Sequence, residues 1–495
     1  MDLDPKLIDW VSLTPELILL TTTFVVLLTE PFLPRNKVWI VNPISIIGVL
    51  GSLAAVIGLA IDGTDRRSFG NMFVVDNYAL LFKGFFLAGG LLILLLSWRY
   101  FQEIRTYQGE YYFLLLASYV GMLLMPSARD LVMVFIALEI VSVPGFVMAG
   151  LRKFDLKSNE GALKFFLFGV LSVAVLLFGA SIVYGFTGTT DLVLLGERLG
   201  AFAGDPMVLA ALLFVIVGFG FKISAVLFHF WAPDTYEGAP LPVTAFLSVL
   251  SKAAGMAGLL QVCFIAFEPL ADVWAPILAI IAIVTMTLGN LTAMQQSNIV
   301  RLLAYSSVST GGFILVPFGI VQTGAADINS QAFSAVMVYL LVYSVMNIGA
   351  FAVVTAVART RPGKQISDFA GLGLTQPGLA VPLTLFLVAL TGIPPLVGWY
   401  AKFVILLAVA QPLNAIGVVL AAAIVVNSVI GAFYYLRVAR TMWMDAPPEG
   451  VERVRPGAPL WVAIGGLAVA AVVLGLLPQA FAGFAEMSTL VAAGS

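Results

Sequence analysis

The 495 residues of the chain are 61% hydrophobic and only 11% charged, whereas about a quarter of the residues in soluble globular proteins are charged. This composition predicts a protein that crosses a membrane many times. The net charge of -2 with scattered basic residues is too small to indicate a nucleic-acid partner, and none is expected. One cysteine and one histidine exclude an internal disulfide, an iron-sulfur cluster held by this chain alone and a bis-histidine haem, so no cofactor is expected in the chain.

The hydrophobic segments predict transmembrane helices, because about 20 mostly apolar residues suffice to cross a bilayer. Breaks at polar, proline and glycine residues separate fourteen such segments, which predict an all-α polytopic membrane protein. In chain order, spans 1 to 14 cover residues 13–33, 38–61, 78–98, 111–125, 131–150, 162–186, 207–230, 242–267, 274–293, 299–321, 333–357, 379–410, 415–439 and 460–477.

Basic residues are distributed unevenly between the two sets of loops, and loops rich in lysine and arginine stay in the cytoplasm. We therefore expect both termini on the non-cytoplasmic side. Loops after odd-numbered spans, together with the span ends that adjoin them, contain fifteen basic residues, which are Arg35, Lys37, Arg99, Arg105, Arg152, Lys153, Lys157, Arg301, Arg359, Arg361, Lys364, Arg437, Arg440, Arg453 and Arg455. The other loops and the termini contain five, which are Lys6, Arg66, Arg67, Arg129 and Arg198.

The five remaining basic residues lie inside spans, away from the ends counted with the loops, and are all lysines: Lys83, Lys164, Lys222, Lys252 and Lys402. A charged side chain at the centre of a membrane helix costs about 2.5 to 3.5 kcal/mol, so it usually has a specific role. Burial can lower the pKa of a lysine enough for it to lose its proton, whereas an arginine stays protonated. We therefore predict that Lys222, Lys252 and Lys402, which are central, move ions. The alternatives are structural salt bridges or snorkelling, and snorkelling is favoured for Lys83 near the start of its span.

Two acidic features accompany these lysines. Glu139 is the one acidic residue of span 5 and lies nine residues after Asp130, at about the middle of the membrane, where it can balance a lysine charge. Asp234 and Glu237 follow span 7, and we expect them to cap or anchor that loop rather than to carry protons.

Helix-breaking residues lie close to a lysine just after span 7 and within span 12. Pro233 follows Lys222, and Gly392, Pro394 and Pro395 precede Lys402. Broken helices free backbone groups that only a protein interior or a polar cavity can accept, although simple kinks in packed helices are an alternative.

The two breaks lie five spans apart, so a duplicated five-helix unit would run in opposite directions across the membrane. The domain prediction follows: residues 1–108 form spans 1–3, residues 109–268 and 269–440 form the two repeats (spans 4–8 and 9–13), and residues 441–495 form a linker and span 14.

Four sequence stretches resemble the antiporter-like subunits of respiratory complex I and of Mrp-type cation/proton antiporters. The first is FKISAVLFHFWAPDTYEGAPLPVTAFLSVLSKAAG, residues 221–255. The others are SNEGALKFFLFGVLSVAVLLFGASIVYGFTGTTDL (158–192), GNLTAMQQSNIVRLLAYSSVSTGGF (289–313) and LTGIPPLVGWYAKF (390–403). The second stretch, and a lysine rather than a glutamate at position 402, resemble the subunit N group of bacterial NADH-quinone oxidoreductases.

The resemblance implies a proton path in which Glu139 pairs with Lys222, Lys252 forms the central bridge and Lys402 is the exit-side group. Lys164 matches a residue thought to tune the first lysine, and the only histidine, His229, is a supporting residue. In this family the fold is two inverted five-helix bundles. NADH, FMN, iron-sulfur clusters and quinone belong to partner subunits of a complex in the bacterial plasma membrane, and redox chemistry there drives the protons.

The chain departs from the family pattern at three positions. Leu227 replaces a proline before the histidine, which leaves open how far span 7 breaks, and Val300 replaces a basic residue before Arg301. Thr310 replaces a common histidine of span 10. We therefore expect water or the hydroxyl groups of this part of the chain to connect Lys252 with Lys402, and the candidate residues are Tyr305, Ser306 and Thr310.

Three other functions remain possible from the sequence. An Mrp-type Na⁺/H⁺ antiporter subunit shares the central motif, but sodium sites need oxygen-rich ligand sets and no cluster of acidic residues lies near Lys222. A membrane-bound hydrogenase subunit is related as well. A purely structural membrane subunit would not explain three central lysines. The chains that co-migrate with the native complex would distinguish these functions.

Overall fold

The computed structural model of the chain describes residues 8–34, 37–104, 108–359, 364–412, 414–448 and 453–479. Within these ranges the chain is almost entirely helical. Some basic residues used in the orientation argument lie outside the described residues, namely Lys6, Arg35, Arg105 and Arg361. Parts of the predicted C-terminal segment, residues 449–452 and 480–495, lie outside them as well.

The helices of the first half are α1 (Thr14–Thr29), α2 (Val41–Asp62), α3 (Asn77–Ile104), α4 (Gln108–Leu124), α5 (Leu131–Ala149), α6 (Leu156–Thr187), α7 (Leu192–Leu199), α8 (Pro206–Lys222), α9 (Trp231–Gly238), α10 (Leu241–Phe246) and α11 (Lys252–Gln261). Those of the second half are α12 (Ala271–Met294), α13 (Ile299–Leu315), α14 (Ala326–Val357), α15 (Leu372–Thr375), α16 (Pro377–Thr391), α17 (Val397–Ala410), α18 (Ala415–Met444) and α19 (Ala458–Leu476).

Shorter elements connect these helices. Strands β1 (Arg66–Ser68) and β2 (Phe73–Val75) form an antiparallel hairpin in which Arg66 pairs with Val75. Turns of π-helix lie at Leu247–Ser251 and Val262–Ala266. Turns of 3₁₀-helix lie at Glu30–Phe32, Val38–Ile40, Met125–Ser127, Gly200–Phe202, Glu268–Leu270, Val316–Ile320 and Ile366–Phe369.

Eleven helical segments of the described residues are long and apolar enough to cross a membrane, and they coincide with spans 1–3, 5, 6, 8–11, 13 and 14. Span 4 corresponds to the 17-residue helix α4, span 7 to the 17-residue helix α8, and span 12 to the two shorter helices α16 and α17. The prediction of a helical membrane protein is confirmed. The number of crossings stays a prediction.

Burial separates an inner set of helices from a peripheral set. The segment Leu241–Ala266, which contains α10 and α11, is 94% buried over its apolar window, and the corresponding value for both α13 and α14 is 89%. For α6 and α18 it is only 28%. A helix that is apolar on all sides belongs in a core, so the inner helices enclose Lys252 and the outer ones face the surroundings of the protein.

The two ends of the molecule are defined by α5, whose 19 residues extend over about 28 Å at 1.5 Å per residue. At its N-terminal end, here called the Arg129 end, the Arg129 guanidinium lies 2.5 Å from the Asp76 carboxylate and also donates to the side chain of Gln261. At the opposite end, Arg152 donates to the carbonyl of Ala239. This second end is called the Arg301 end, after a residue described below.

The break predicted in span 7 is complete and lies upstream of Pro233. α8 ends at Lys222, and the chain from 223 to 230 is not α-helical, with φ of +57° at Ser224 and +84° at Leu227. Thr285 satisfies one freed amide by accepting from the Val226 N–H at 3.0 Å. The prediction that Pro233 breaks the helix is wrong, because Pro233 lies in the first turn of α9, where the absent N–H costs nothing.

The break predicted in span 12 lies at the expected residues. α16 ends at Thr391, and α17 begins at Val397. Gly392 follows α16 with φ of +90°, a conformation that glycine adopts without a steric penalty. Pro394 and Pro395 lie in the non-helical connection. The carbonyl of Thr391 is thereby freed from the helix inside the protein.

Lys83 contradicts the snorkelling expectation. Its side chain is fully buried, and its ammonium lies 2.7 Å from the carboxylate of Glu16 on α1 and 4.7 Å from the ring centroid of Phe73. The pair joins α1 to α3. The sequence analysis missed it because Glu16 lies 67 positions away and only tertiary packing brings the two side chains together.

Two short β-bridges occupy corresponding places in the two halves of the chain. Asp130, which precedes α5, pairs with Asp191, which follows α6. Asn298, which precedes α13, pairs with Gln365, which follows α14. Helices α6 and α14, enclosed by these bridges, both have 32 residues. The same local arrangement therefore recurs five spans later.

Candidate functional site

Lys222 lies in the last turn of α8 and is 2% exposed. Its Nζ donates to the hydroxyl of Ser142 on α5 at 2.9 Å. Its aliphatic stem packs on Gly255, where a Cβ would lie only 2.7 Å from Lys222 Cγ. The end of a helix carries partial negative charge on its free carbonyls, so the break in span 7 creates a favourable place for a cation.

Glu139 lies one turn before Ser142 on α5 and is half-buried. Its carboxylate is within electrostatic range of Lys222, but the two groups do not touch, and the buried Oε1 has no hydrogen-bond partner among the described residues. The neighbouring side chains of Ile136 and Val143 are exposed. Glu139 therefore lies near the exposed side chains of α5, while the Lys222 ammonium is bound by Ser142 of the same helix.

Lys252 follows the π-helical turn Leu247–Ser251 and is 5% exposed. Its Nζ donates to the hydroxyl of Ser307 on α13 at 2.7 Å and to the carbonyl of Ser307 at 3.1 Å. Its ammonium also lies 5.9 Å from the ring centroid of Tyr236. Within the described part of the chain, neutral oxygens alone bind this ammonium, so no fixed carboxylate locks its charge.

Lys402 lies in α17, just after the break in span 12. Its Nζ donates to the Thr391 carbonyl at 2.8 Å, the group that the break frees. It also lies 4.8 Å from the ring centroid of Phe313. A Cβ at Gly392 would lie 2.7 Å from Lys402 Cδ, so glycine is needed for the close approach. Lys222 and Lys402 thus share one arrangement, with a helix break beside the ammonium and a glycine beside the stem.

The hydroxyls proposed to bridge Lys252 and Lys402 do not contact either lysine. Tyr305 is half-buried, Thr310 is buried, and the Ser306 hydroxyl shares a hydrogen bond with Tyr435. The hydroxyl that contacts Lys252 is that of the next residue, Ser307. Ser307 rather than Ser306 faces Lys252 because consecutive residues of α13 point about 100° apart around the helix. A bridging role of Tyr305, Ser306 and Thr310 stays a prediction.

His229 lies in the non-helical connection between α8 and α9. It is half-buried, its ring centroid lies 4.5 Å from that of Phe230, and its buried Nδ1 has no hydrogen-bond partner among the described residues. His229 is also within electrostatic range of Lys252. It is therefore placed near the second lysine rather than against the first.

Lys164 belongs to an ion cluster at the Arg301 end and has no contact with Lys222. Its Nζ donates to Asp234 at 2.6 Å and to Glu160 at 2.5 Å. Arg301 on α13 donates to Asp234 at 2.8 Å and to Glu237 at 2.9 Å, and Lys157 donates to Glu237 at 2.7 Å. These ion pairs hold α9 between α6 and α13, in keeping with the anchoring role expected for Asp234 and Glu237.

The ion cluster lowers the pKa of both of its carboxyl groups on α9. Burial raises the pKa of Asp234, but hydrogen bonds and charges from Lys164 and Arg301 outweigh this and leave it below the ordinary value. The pKa of Glu237 is lowered in the same way, with Lys157 and Arg301 acting against burial. Both groups are therefore carboxylates at neutral pH.

We expect the substitution Asp234→Asn to lower stability at neutral pH by up to about 1 kcal/mol, the range of partly exposed ion pairs. Because the folded pKa lies below the unfolded value of about 3.9, the carboxylate stabilises the fold above that pH and loses its effect as the pH falls through the folded pKa. The difference in unfolding temperature between wild type and variant should be constant from pH 7 to about pH 5 and shrink below about pH 4.

The matched control is Glu160→Gln, which removes an exposed carboxylate from the same lysine and should change stability little. A difference between Asp234→Asn and wild type that grows on acidification would contradict the assignment of Asp234 as an anchor.

Several polar residues around the lysines were not predicted, and they are Ser142, Ser248, Ser307, Tyr236, Tyr343 and Asn347. Serines and tyrosines are common in membrane helices, so composition alone gives no signal for them. One signal was available for Ser248, which lies one helical turn before Lys252 in the same span. No group of three or more His, Cys, Asp or Glu side chains that could hold a metal ion occurs in the described ranges.

Comparisons with known proteins place the chain among membrane subunits of respiratory enzymes. A family model described as NADH:quinone oxidoreductase/Mrp antiporter, TM, matches residues 128–431. NADH-quinone oxidoreductase subunit N 2 of Streptomyces griseus is 38% identical, with 97% of this chain and 94% of that protein covered. Subunit N of Trichlorobacter lovleyi is 37% identical, with 96% of each chain covered.

Solved structures with the same fold include a chain of respiratory complex I from Thermus thermophilus, with a TM-score of 0.77, 29% identity and coverage of 95% of this chain and 99% of that one. A chain of the Mrp complex from Dietzia sp. DQ12-45-1b has a TM-score of 0.82 with 97% and 96% coverage, but at 20% identity it shows the fold alone. The chain therefore belongs to the NADH:quinone oxidoreductase/Mrp antiporter transmembrane family, and within it to the subunit N group of NADH-quinone oxidoreductases.

Proposed function

We propose that the chain is a proton-translocating membrane subunit of an NADH-quinone oxidoreductase, and that protons pass along Glu139, Lys222, Lys252 and Lys402. The observation that carries the proposal is the set of three lysines among the helices, with Lys222 and Lys252 buried and Lys402 half-buried. Each is bound to neutral oxygens, and none contacts a carboxylate among the described residues. A purely structural lysine would be expected to form an ion pair, as Lys83 does with Glu16.

Proton transfer along this path depends on whether the surroundings of each lysine favour its neutral amine or its charged ammonium form. Burial favours the neutral form, and a nearby negative charge favours the charged form. Lys222 takes up a proton while Glu139 is charged, and it releases the proton when that charge is neutralised. Because Glu139 lies beside the exposed side chains of α5, a neighbouring subunit is well placed to change its charge.

The energy must come from partner subunits. Moving one charge against 100 mV costs about 2.3 kcal/mol. The relatives are named as subunits of NADH-quinone oxidoreductases, so we propose that partners hold NADH, FMN, iron-sulfur clusters and quinone, while this chain moves H⁺. The partners would include other antiporter-like subunits in a bacterial plasma membrane.

We further propose fourteen crossings arranged as two inverted five-helix repeats. The recurring β-bridges before α5 and α13, the equal lengths of α6 and α14, and the breaks after α8 and α16 support a duplication. An offset of five spans inverts the second copy, so the bridge before α5 and the bridge before α13 would lie on opposite sides of the membrane. With the basic-residue asymmetry, this puts the Arg301 end in the cytoplasm and both termini opposite.

The test uses the whole complex in native membrane vesicles, with NADH oxidation and proton movement followed together. The substitution Glu139→Gln keeps the shape of the side chain and removes its charge, so we expect proton translocation to fall by about tenfold or more. The control is Glu160→Gln, an exposed carboxylate at the Arg301 end. Full proton yield per NADH in the Glu139→Gln complex would refute the proposed path.

Measurements in the same vesicles distinguish the proposed function from the second candidate, an Mrp-type Na⁺/H⁺ antiporter subunit. The shared fold is the observation that keeps it in view. Proton movement that requires Na⁺, with counter-movement of Na⁺ and no dependence on NADH, would favour the antiporter. Proton movement that follows NADH oxidation at vanishing Na⁺ would favour the oxidoreductase.

A further inference from the structure

One face of α14 carries a row of polar side chains that have no role in the proposed path so far. Tyr339, Tyr343 and Asn347 are spaced four residues apart, so they lie in one row along the helix. All three are buried, at 3%, 3% and 0% exposure, inside a helix that is itself largely enclosed by the protein. A row of hydrogen-bonding groups inside a membrane protein is expensive unless it is used.

The C-terminal end of this row lies beside residues that surround Lys252. The Asn347 amide donates to the Ser248 hydroxyl at 2.9 Å, and Ser248 lies one turn before Lys252. The Tyr343 hydroxyl lies close to the hydroxyl of Ser307, the group that accepts from Lys252, although the two do not form a well-aligned hydrogen bond. Tyr236 also places its hydroxyl close to Ser307, and the Ser307 hydroxyl itself donates to the Ser248 carbonyl at 3.4 Å. Of the two tyrosines near Ser307, Tyr343 is the one that lies on α14, in the same row as Tyr339.

The other end of the row lies beside Phe313, a residue that contacts Lys402. The ring of Tyr339 stacks on the ring of Phe313, with centroids 6.2 Å apart and an interplanar angle of 14°. Phe313 is the ring over which the Lys402 ammonium lies, at 4.8 Å. Tyr339 and Tyr343 are also within electrostatic range of each other. One turn of α14 therefore connects the surroundings of Lys252 to those of Lys402.

Unsatisfied polar atoms mark the same region. The hydroxyls of Tyr343 and Tyr236 and the Asn347 Oδ1 atom are all buried and lack hydrogen-bond partners among the described residues. Buried polar atoms are normally hydrogen-bonded, to protein or to ordered water. The interior around Ser307 and α14 is therefore suited to holding water next to hydroxyl groups.

We propose that Ser307, Tyr343 and Tyr339 carry the proton between Lys252 and Lys402, an inference that rests on the proposed function. The Lys252 ammonium gives a proton to the Ser307 oxygen while the Ser307 hydroxyl proton passes to Tyr343. Tyr343 passes its own proton to Tyr339, and Tyr339 passes one through water to the neutral amine of Lys402. Each hydroxyl ends with one proton, and the net change is an amine at Lys252 and an ammonium at Lys402.

The test compares Tyr343→Phe with Tyr119→Phe in the intact complex in native membrane vesicles. Both changes remove one hydroxyl from a buried tyrosine, but the Tyr119 hydroxyl donates to the Gly90 carbonyl, in the packing of α3 against α4. We expect Tyr343→Phe to slow NADH-driven proton translocation by about tenfold or more and Tyr119→Phe to leave it unchanged. Ser307→Ala, a smaller change, should match Tyr343→Phe and decides the matter if that variant does not assemble.

Lys252→Met, measured in the same vesicles, separates the two levels of the hypothesis. If Lys252→Met stops proton translocation while Tyr343→Phe and Ser307→Ala pump like Tyr119→Phe, the hydroxyl path is wrong and the lysine path stands. If Lys252→Met itself pumps fully, the proposed function fails and the hydroxyl path falls with it. Slowed translocation in both hydroxyl variants, with a larger solvent deuterium isotope effect than in Tyr119→Phe, supports the path.

Discussion

Replacing Lys222 by methionine is expected to reduce proton translocation by at least about a hundredfold, the scale of removing an acid-base group from a proton-transfer step. Methionine has a similar length and fills the space beside Gly255, so packing should survive. The change also removes a charge that costs about 2.5 to 3.5 kcal/mol to bury, while it loses one hydrogen bond to Ser142 worth about 1 kcal/mol. Stability should therefore stay the same or rise while function is lost.

The measurement is the proton yield per NADH in native vesicles, together with the amount of assembled complex. Lys157→Met is the matched control, because it makes the same change at a side chain that is 70% exposed and contributes only a surface ion pair. A Lys222→Met complex that pumps at the wild-type yield would exclude Lys222 from the path. If less complex assembles but each assembled complex still pumps at the wild-type yield, that result would also count against a proton-carrying role for Lys222.

The largest loss of stability is expected from Arg129→Met, at the Arg129 end of the molecule. The Arg129 guanidinium is bonded to Asp76, to the Gln261 side chain and to the Pro126 carbonyl, and both charged side chains are nearly inaccessible, at 4% and 1% exposure. Removing one partner leaves the Asp76 carboxylate buried without its counter-charge. Breaking a buried pair in this way costs about 3 to 5 kcal/mol.

Heating experiments on the purified complex can measure this loss as a faster rate of irreversible inactivation, since large membrane complexes rarely unfold reversibly. The double substitution Asp76→Leu with Arg129→Met removes both charges and should recover part of the stability. Arg66→Met is the control for an accessible arginine, whose pairs with Asp9 and Asp62 should contribute at most about 1 kcal/mol. Equal inactivation rates for Arg129→Met and Arg66→Met would contradict the prediction.

The two helix breaks show which structural features the local sequence can predict. Gly392, Pro394 and Pro395 placed the break in span 12 correctly, because a glycine at positive φ and two prolines are incompatible with a continuous helix. In span 7 the proline at 233 begins α9, and the break occurs earlier, at residues without helix-breaking side chains, where Ser224 and Leu227 adopt positive φ. Contacts from other helices, such as Thr285 to the Val226 amide, supply the stabilisation that the local residues lack.

The partners of the lysines show the same division. Their positions inside apolar segments could be read directly, since a lysine in a long hydrophobic run is rare and costly. Their contacts could not. Lys83 binds Glu16, Lys164 binds Asp234, and Lys252 binds Ser307 rather than Ser306. Each pair joins two different helices, and a rotation of a helix by one residue exchanges one neighbour for another.

The sequence by itself determined that this protein is a bundle of membrane helices with ionisable amines in its interior, because hydrophobicity and the cost of burying charge are properties of the residues themselves. Only the tertiary structure decided which oxygen each amine meets and which charges are neutralised. Those contacts depend on the rotation and spacing of helices that lie far apart in the chain, and α14, with its row of Tyr339, Tyr343 and Asn347, is placed beside Ser307 by packing alone.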